Sequence, residues 1–383
     1  MAELTCALAE SRIQPRDAAP LLSIFVPTHN RVPEMVQAVE SMTRQLHGGL
    51  EDKVEILVSD NASGPEGREA IRALADRFGT VSYMINAVDQ GGHWQVYSAP
   101  SRVRGRFTWV FGSDDLIDVG GIASVVRRLE ADDPDFLTMD KQIWNRDLSR
   151  QLYAAANGIP ERTFDGFVEL FKGVGLHQVA FLGASVEKTE AGRRIDPMTY
   201  LTAETMHAYT IAFFEKHQHG KCLYIPDAHV IRRLDNTLIT DYMGVVLTDV
   251  GMYFPVHLAR LAGPYGFTDE VFEQVPGSRF ITSYDPPALT LVDNIFEYQL
   301  RSIAAGKGIW HSHRAAFEQM SLNWRPHRRA QFDEIWQLSE QARIATEAIH
   351  EARLRHEQLV LGAAAEREAL RQKALTFTDK KPA

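Results

Sequence analysis

Apolar and polar residues follow two rhythms in the first third of the chain. Leu22-Ser23-Ile24-Phe25-Val26 is a short apolar run ending at Pro27, as a buried strand would be. Val32, Met35, Val36, Val39, Met42 and Leu46 then recur at helical spacing until Gly48-Gly49. Val54 to Val58 predicts the second strand, closed by Ser59-Asp60-Asn61. Ile71, Leu74, Ala75 and Phe78 mark a second helix. Val81 to Ile85 reads as a third strand, and Gly91 to Val103 as a helix whose end is blurred by Pro100. Phe107 to Phe111 is a fourth strand, followed by Gly112-Ser113-Asp114-Asp115. Val119, Ile122, Val125, Val126 and Leu129 give a further helix, and Asp135 to Met139 a further strand. Strand and helix alternating through short connections is the pattern of an α/β fold with a doubly wound, mostly parallel sheet.

The middle of the chain is less regular. Val179 to Val186 is read as a strand, and Thr202 to Lys216 as a helix with Thr202 at its N-cap. Leu223 to Ile225 and Ala228 to Ile231 are read as short strands around Pro226. Candidate helices fill 237–330, and 331–383 is dominated by one or two long helices, since 331–373 holds no proline and one glycine, Gly362. The heptad Ile335, Leu338, Ala342, Ala345, Ile349 is a weak coiled-coil signal, consistent with a homo-oligomer. This divides the chain into an extension (1–20), an α/β domain (21–236), a helical region (237–330) and the C-terminal helices (331–383).

Composition changes this picture only by exclusion. Hydrophobic residues at 45% and charged residues at 24% describe an ordinary globular chain. A net charge of −9 argues against nucleic acid as a partner. Cys6 and Cys222 form no CxxC or Cys/His cluster, which excludes a disulfide framework or structural zinc. Residues 1–20 lack the apolar run of a signal peptide. Leu238 to Leu261 is interrupted by Asp241, Asp249 and His257, too polar to span a bilayer. The expectation is a soluble cytoplasmic protein, with peripheral contact at the inner face of the membrane left open.

The chemistry is expected at the carboxyl ends of the parallel strands. Strand one ends in Pro27-Thr28-His29-Asn30-Arg31, strand two in Asp60-Asn61-Ala62-Ser63, strand four in Ser113-Asp114-Asp115. Turns are polar for their own reasons, but three such ends in this order point to one crevice. His229, Arg232, Arg233, Asp235 and Asn236 form a further polar cluster after a strand, with His229 a candidate metal ligand.

Ser-Ile-Phe-Val-Pro-Thr-His-Asn-Arg, Ile-Leu-Val-Ser-Asp-Asn-Ala-Ser and Trp-Val-Phe-Gly-Ser-Asp-Asp-Leu-Ile resemble the three opening signatures of family 2 glycosyltransferases, and within them the abequosyltransferase-like branch that tailors bacterial surface glycans. The resemblance covers roughly residues 20 to 236. It implies a GT-A type fold followed by a helical C-terminal region. It also implies an inverting transfer from a nucleotide-diphospho-sugar to a hydroxyl of a glycan or lipid-linked glycan. Pro27, Thr28 and Arg31 would line the nucleotide, and Asp60 would accept a hydrogen bond from the base. Asp114 and Asp115 would form a DxD-type element for Mg²⁺ or Mn²⁺, hard cations that take oxygen ligands and carry leaving-group charge. Two positions depart from the family. His29 replaces a tyrosine and still offers a ring to stack on a base. Ser113 replaces the first DxD aspartate, which leaves Asp115 as the metal ligand and Asp114 near the ribose.

The resemblance also implies a carboxylate base at a helix start, matched by Glu204. Met206, Tyr209 and Phe213 would form that helix's apolar face, with Glu204, His207 and Ile211 elsewhere. Glu204 equally suits the helix dipole, and His207 is the alternative base. Arg232 and Arg233 are candidates for the diphosphate. Gly91-Gly92-His93-Trp94 is read as a turn rather than a donor contact. Two other functions share parts of this pattern. A sugar nucleotidyltransferase would carry glycine in the loop after strand one, which is absent here. A non-catalytic nucleotide-sugar binder or scaffold would use the C-terminal helices as its working surface.

Overall fold

The protein is described by a computed structural model over residues 7–153, 159–203, 205, 207–233, 258, 260–268, 271 and single positions between 337 and 355. Two compact units divide the chain, Met1–Ala288 and Leu289–Ala383. In the second unit the described positions, among them Ile344 and Ile349, are helical and exposed.

The first unit is built on one sheet. Its centre is β2 (Leu22–Thr28), β3 (Val54–Asp60), β4 (Val81–Asn86) and β5 (Phe107–Val110), paired in parallel in the order β4-β3-β2-β5. β3 is buried at every position and β2 nearly so, as a sheet covered on both faces requires. An antiparallel edge strand, β1 (Leu8–Arg12), is added beyond β4 from the stretch before residue 21. On the other side, β10 (Ser185–Lys188) runs antiparallel between β5 and β7 (Phe136–Trp144). β11 (Lys221–Arg233) then pairs with β7 in parallel. Short antiparallel pieces complete the sheet: β6 (Leu116–Ile117) and β9 (Arg162–Asp165) on β11, and β8 (Gln151–Tyr153) on β7.

Helices cover both faces. α1 (Val32–Thr43) and α3 (Pro65–Arg77) each begin with a proline in the first turn, where its missing N–H costs nothing, followed by a glutamate suited to the dipole. Their apolar stripes, with that of α5 (Gly121–Asp132), bury Met35, Val39, Ile71, Leu74, Ile122 and Val125 against Ile24, Ile56 and Trp109. α4 (Gly92–Arg102) covers the opposite face through Ala99, with Val103 beside it, on Phe25 and Leu57. α2 (Leu50–Lys53) is a single turn before β3. A second core lies over β7 and β11, where α6 (Phe167–Val174) and α10 (Ala208–Lys216) pack Phe167, Phe171, Phe213 and Phe214 around Phe136. Leu258, Ala262 and Phe267 join this core, so part of the predicted helical region rests on the α/β unit. α7 (Leu176–Val179), α8 (Thr189–Arg194) and α9 (Pro197–Leu201) are short connectors.

Three expected elements differ. The strand predicted from Val179 begins only at Ser185, because Leu176–Val179 close a helical turn. The helix predicted from Thr202 to Lys216 starts only at Ala208, as α10. Thr202 is the C-cap of α9, its hydroxyl donating to Met198 O at 2.9 Å, and α10 starts after His207. Ile211 is fully buried in the second core and not on a free face. The two strands expected around Pro226 are one, β11, with its register broken between Ile225 and Val230; the irregularity absorbs the proline.

At the amino end of the sheet a buried network sets the register. Glu55 accepts from Ser23 Oγ at 2.6 Å and from the Arg104 guanidinium at 2.5 Å, and Ser23 Oγ accepts from the Gly105 N–H at 2.7 Å. A Cβ on Gly105 would stand 2.6 Å from the Ser23 backbone nitrogen. Gly105→Ala is therefore expected to cost about 1–3 kcal/mol in a denaturant titration, an overpacking penalty against backbone that cannot move aside.

Candidate functional site

The strand order reverses at β2, with β3 on one side and β5 on the other. This is the switch point where an open α/β sheet leaves a crevice beyond its carboxyl ends. Two loops enter it from β2 and β3, and they are fastened to each other. Asn61 N–H donates to Thr28 O at 2.9 Å. His29 Nδ1 lies 2.8 Å from Asn61 O, so it carries the proton, and the bare Nε2 accepts from Asn30 Nδ2 at 2.9 Å. Asn30 N–H donates to Ser63 Oγ at 2.8 Å, and Gly64 N–H to Asn30 Oδ1 at 3.1 Å. Asn30 and Ala62 both hold left-handed backbone, at φ 52° and 63°. For alanine that conformation is costly and is held by the surrounding bonds.

Asp60 sits under this pair of loops with no exposed surface. Its Oδ2 accepts the Ser63 N–H at 2.9 Å, closing an Asx turn. Its Oδ1 is buried and has no partner. A buried acceptor left unmet costs about 1–3 kcal/mol, so this atom at the loop crevice calls for a donor from water or a ligand. Below it, Asn61 Oδ1 accepts from Asn86 Nδ2 at 3.1 Å and Gln90 N–H at 2.9 Å, and Asn61 Nδ2 donates to Asp89.

The loop after β5 supplies the second corner. Asp114 forms an ion pair with Arg31, the N-cap residue of α1, and so joins the β2 and β5 loops. Asp115 is 5% exposed, and its Oδ1 accepts the Arg233 N–H at 3.2 Å. Burial, and then the neighbouring Asp114, push its carboxyl well above the usual range, against the pull of Arg232 and Arg233. Its other oxygen folds against Gly112, where a Cβ would come within 2.6 Å. Arg232 and Arg233 leave β11 on opposite faces. The Arg233 guanidinium is buried and donates to Gln37 of α1 at 2.5 Å. Arg232 lies over the Phe181 ring at 5.1 Å.

A residue the sequence reading passed over completes this corner. Lys141 of β7 is 2% exposed, and its ammonium stands 5.1 Å from the same Phe181 ring. Burial and the nearby Arg232 lower it to about 7, while Asp140 and Asp115 favour its charged form. The signal was a lysine within an apolar strand. It was missed because the strand was ended at Met139, whereas β7 continues to Trp144.

The structure therefore gathers Arg31, Asp114, Asp115, Arg232 and Arg233 at one corner. It places Pro27, Thr28, His29 and Asp60 at the other. His207 occupies the N-cap of α10, with its ring 6.0 Å from Tyr209. Glu204 and the side chain of His229 lie outside the described residues. Among the described residues no three His, Cys, Asp or Glu side chains gather as a metal cage. Asp115 fits a cation that takes its remaining ligands from phosphate oxygens and water, as Mg²⁺ commonly does. No described helix is long and apolar enough to cross a membrane.

Residues 23–175 match the sequence model of glycosyl transferase family 2. Over that stretch the chain is similar to glycosyl transferase family 2. Abequosyltransferase RfbV of Salmonella typhimurium is 29% identical over 112 residues, which are 29% of this chain and 33% of that protein. The chain thus spans about a third of the curated relative it matches. Among solved structures, mannosyltransferase PcManGT from Pyrobaculum calidifontis, in complex with GDP-Man and Mn²⁺, superposes with a TM-score of 0.51 at 15% identity, over 89% of this chain and 90% of that one. Residues 1–349 of S. aureus TarS match at a TM-score of 0.47 and 11% identity, over 86% of this chain and 91% of that one. The fold of the first unit is of the GT-A type.

Proposed function

We propose that this chain moves a sugar from a nucleotide-diphospho-sugar to a hydroxyl of a glycan or lipid-linked glycan, with inversion at the anomeric carbon. The observation that carries the reading is the unpartnered Oδ1 of Asp60 at the floor of the switch-point crevice. An acceptor fixed there suits the N–H of a nucleobase, and the His29 ring, held by both its nitrogens, offers a face for stacking. Thr28 and Pro27 form the strand end beneath, and Asp114, held by Arg31, stands towards the ribose. The diphosphate then reaches the Asp115 corner. Asp115 would hold a divalent cation, Mg²⁺ or Mn²⁺, that neutralises charge on the departing diphosphate. His229 is kept as a candidate further ligand, and Arg232 as a diphosphate contact.

The acceptor hydroxyl must lose its proton as it attacks. Glu204 and His207, between α9 and α10, are the candidate bases. Bacterial surface polysaccharide is the acceptor class suggested by the abequosyltransferase likeness, with action at the cytoplasmic face of the membrane. A transfer assay with a panel of nucleotide sugars tests the activity. Release of nucleoside diphosphate from none of them, with the nucleotides still binding, would favour a non-catalytic sugar-nucleotide binder.

The base contact has its own test. Asp60→Asn keeps the Asx-turn acceptor but puts an amide where the base needs an oxygen or weakens the one left. Nucleoside diphosphate affinity is expected to fall about 10- to 100-fold by calorimetry, the worth of a hydrogen bond to a charged group. Inorganic pyrophosphate, which has no base, should bind as before. An unchanged nucleotide affinity would remove Asp60 from the base site.

A further inference from the structure

We infer that the groove between β9 and α6 is a second ligand site, remote from the donor crevice, and that it holds a neutral stretch of oligosaccharide. β9 is a strand of four residues bonded on one side to the start of β11. Among the described residues no strand pairs with its other side, so its outer N–H and C=O groups stand open. α6 follows directly after Gly166 and packs against β9, and a cavity of about 310 Å³ lies between them. That reaches the lower bound of small-ligand sites, roughly 300 Å³. Phe164, buried in the second core, and Gly173 lock the two walls together. A Cβ on Gly173 would stand 2.3 Å from the Phe164 ring.

The lining decides what fits. It carries Arg162 and Lys172, Asp165 and Glu169, and the Thr163 hydroxyl. Two cations and two carboxylates cancel, so an ion of either sign would meet its like as often as its opposite. An apolar ligand would strip water from four charges. Lys172 bonds Glu169 at 2.9 Å. Arg162 lies 4.9 Å over the Phe164 ring, and neither it nor Asp165 has an ion-pair partner among the described residues. A guanidinium offers only donors and a carboxylate only acceptors, while a hydroxyl donates and accepts at once. A sugar chain, uncharged and dense in hydroxyls, answers both groups and the open strand edge. An extended peptide on this edge would find four residues of ladder, and charges where its side chains need apolar pockets. The groove is no part of the donor crevice. β9 pairs with Lys221–Tyr224, whereas the Asp115 corner adjoins Val230–Arg233, at the opposite end of β11. At about 3.3 Å per residue, Tyr224 to Arg232 spans roughly 25 Å. A glycan long enough to bridge that span gains effective concentration at the crevice from its second attachment. That the bound sugar belongs to the acceptor rests on the transfer reading above.

The experiment is calorimetry on the full chain with neutral hexasaccharides of glucose, mannose, galactose and rhamnose. Hexagalacturonate serves as the anionic counterpart, and a capped hexapeptide of alternating threonine and valine as the extended peptide. At least one neutral hexasaccharide is expected to bind. Arg162→Ala and Asp165→Ala should each weaken it by about 10- to 100-fold, the worth of a hydrogen bond to a charged group. UDP, GDP, CDP and dTDP should bind both variants as they bind the parent, which separates the groove from the donor crevice. Both positions are exposed, melting curves establish that each variant is folded, and either folded variant suffices. Binding of no neutral hexasaccharide, or of hexagalacturonate or the hexapeptide alone, overturns the inference. So does equal hexasaccharide binding by the folded variants, or a parallel loss of nucleoside diphosphate. Sugar held at the groove by a parent that binds no nucleoside diphosphate would instead overturn the transfer reading and leave the groove standing.

Discussion

Asp115→Ala is expected to lower sugar transfer by roughly 10²- to 10³-fold at saturating donor, the several kcal/mol that a charge-stabilising centre contributes to a barrier. The reason lies in its setting. The carboxylate is buried, bonded through one oxygen to the Arg233 N–H, and confined by Gly112. It cannot be supplied by a neighbour, since Asp114 is engaged by Arg31. Asp115→Asn separates charge from shape. The amide retains an acceptor for the Arg233 N–H and should fold normally, yet lose turnover to a similar degree. Steady-state kcat with the preferred donor is the measurement. A kcat near that of the parent in both variants would remove Asp115 from the mechanism.

Glu187→Ala is expected to carry the largest cost in stability, about 3–5 kcal/mol, because it strands a buried cation. Glu187 of β10 accepts from the Lys216 ammonium at 2.8 Å and from His217 Nε2 at 3.0 Å, both at the end of α10. The side chains of all three are at most 9% exposed. Burial lowers the His217 pKa, so at neutral pH the ring is neutral and donates from Nε2. Lys216 is then the countercharge. Burial opposes ionisation of Glu187, but Lys216 and His217 outweigh it and hold the carboxyl down at about 2.

The sign of the pH effect follows. A depressed carboxyl pKa stabilises the fold above the unfolded value of 4.5, and that stability is lost as pH falls from there towards 2. His217, also depressed, takes its proton more readily when unfolded, so it begins to erode stability below about 6.5. Chemical denaturation of the parent should therefore weaken from pH 7 down to pH 3, and the Glu187→Ala variant should lose the part of that slope below pH 4.5. Equal slopes there would show that Glu187 titrates as it does in the unfolded chain.

Much of this architecture was visible in periodicity alone. The strands at β2, β3, β4 and β5 are apolar runs whose burial is dictated by helices on both faces, and α1, α3 and α5 carry a one-sided stripe. The polar strand ends converge as expected, since a parallel sheet places its carboxyl ends along one edge. What escaped was set by tertiary contact. The stretch from Val179 to Ala184 is apolar enough for a strand but is taken up by the end of α7 and a 3-10 turn over Leu182–Ala184. The stretch around Thr202 has helical propensity throughout but breaks, with Thr202 capping the outgoing end of one helix and His207 the incoming end of the next. Lys141 was invisible as a site residue because a lysine in a strand ordinarily marks an exposed edge. Only the pairing of β7 with β11 shows it turned inward beside Arg232.

The left-handed residues Asn30 and Ala62 have a consequence for how this domain can change. The two loops they shape are fastened by one main-chain bond, Asn61 N–H to Thr28 O, and otherwise by the side chains of His29, Asn30 and Ser63. The His29 ring is therefore both a wall of the crevice and a clasp between its loops. A side chain exchanged there keeps the loops closed only if it still donates to Asn61 O, and a β-branched residue at 30 or 62 would strain backbone already in the left-handed region. Change at this crevice is thus limited by what holds its two loops shut.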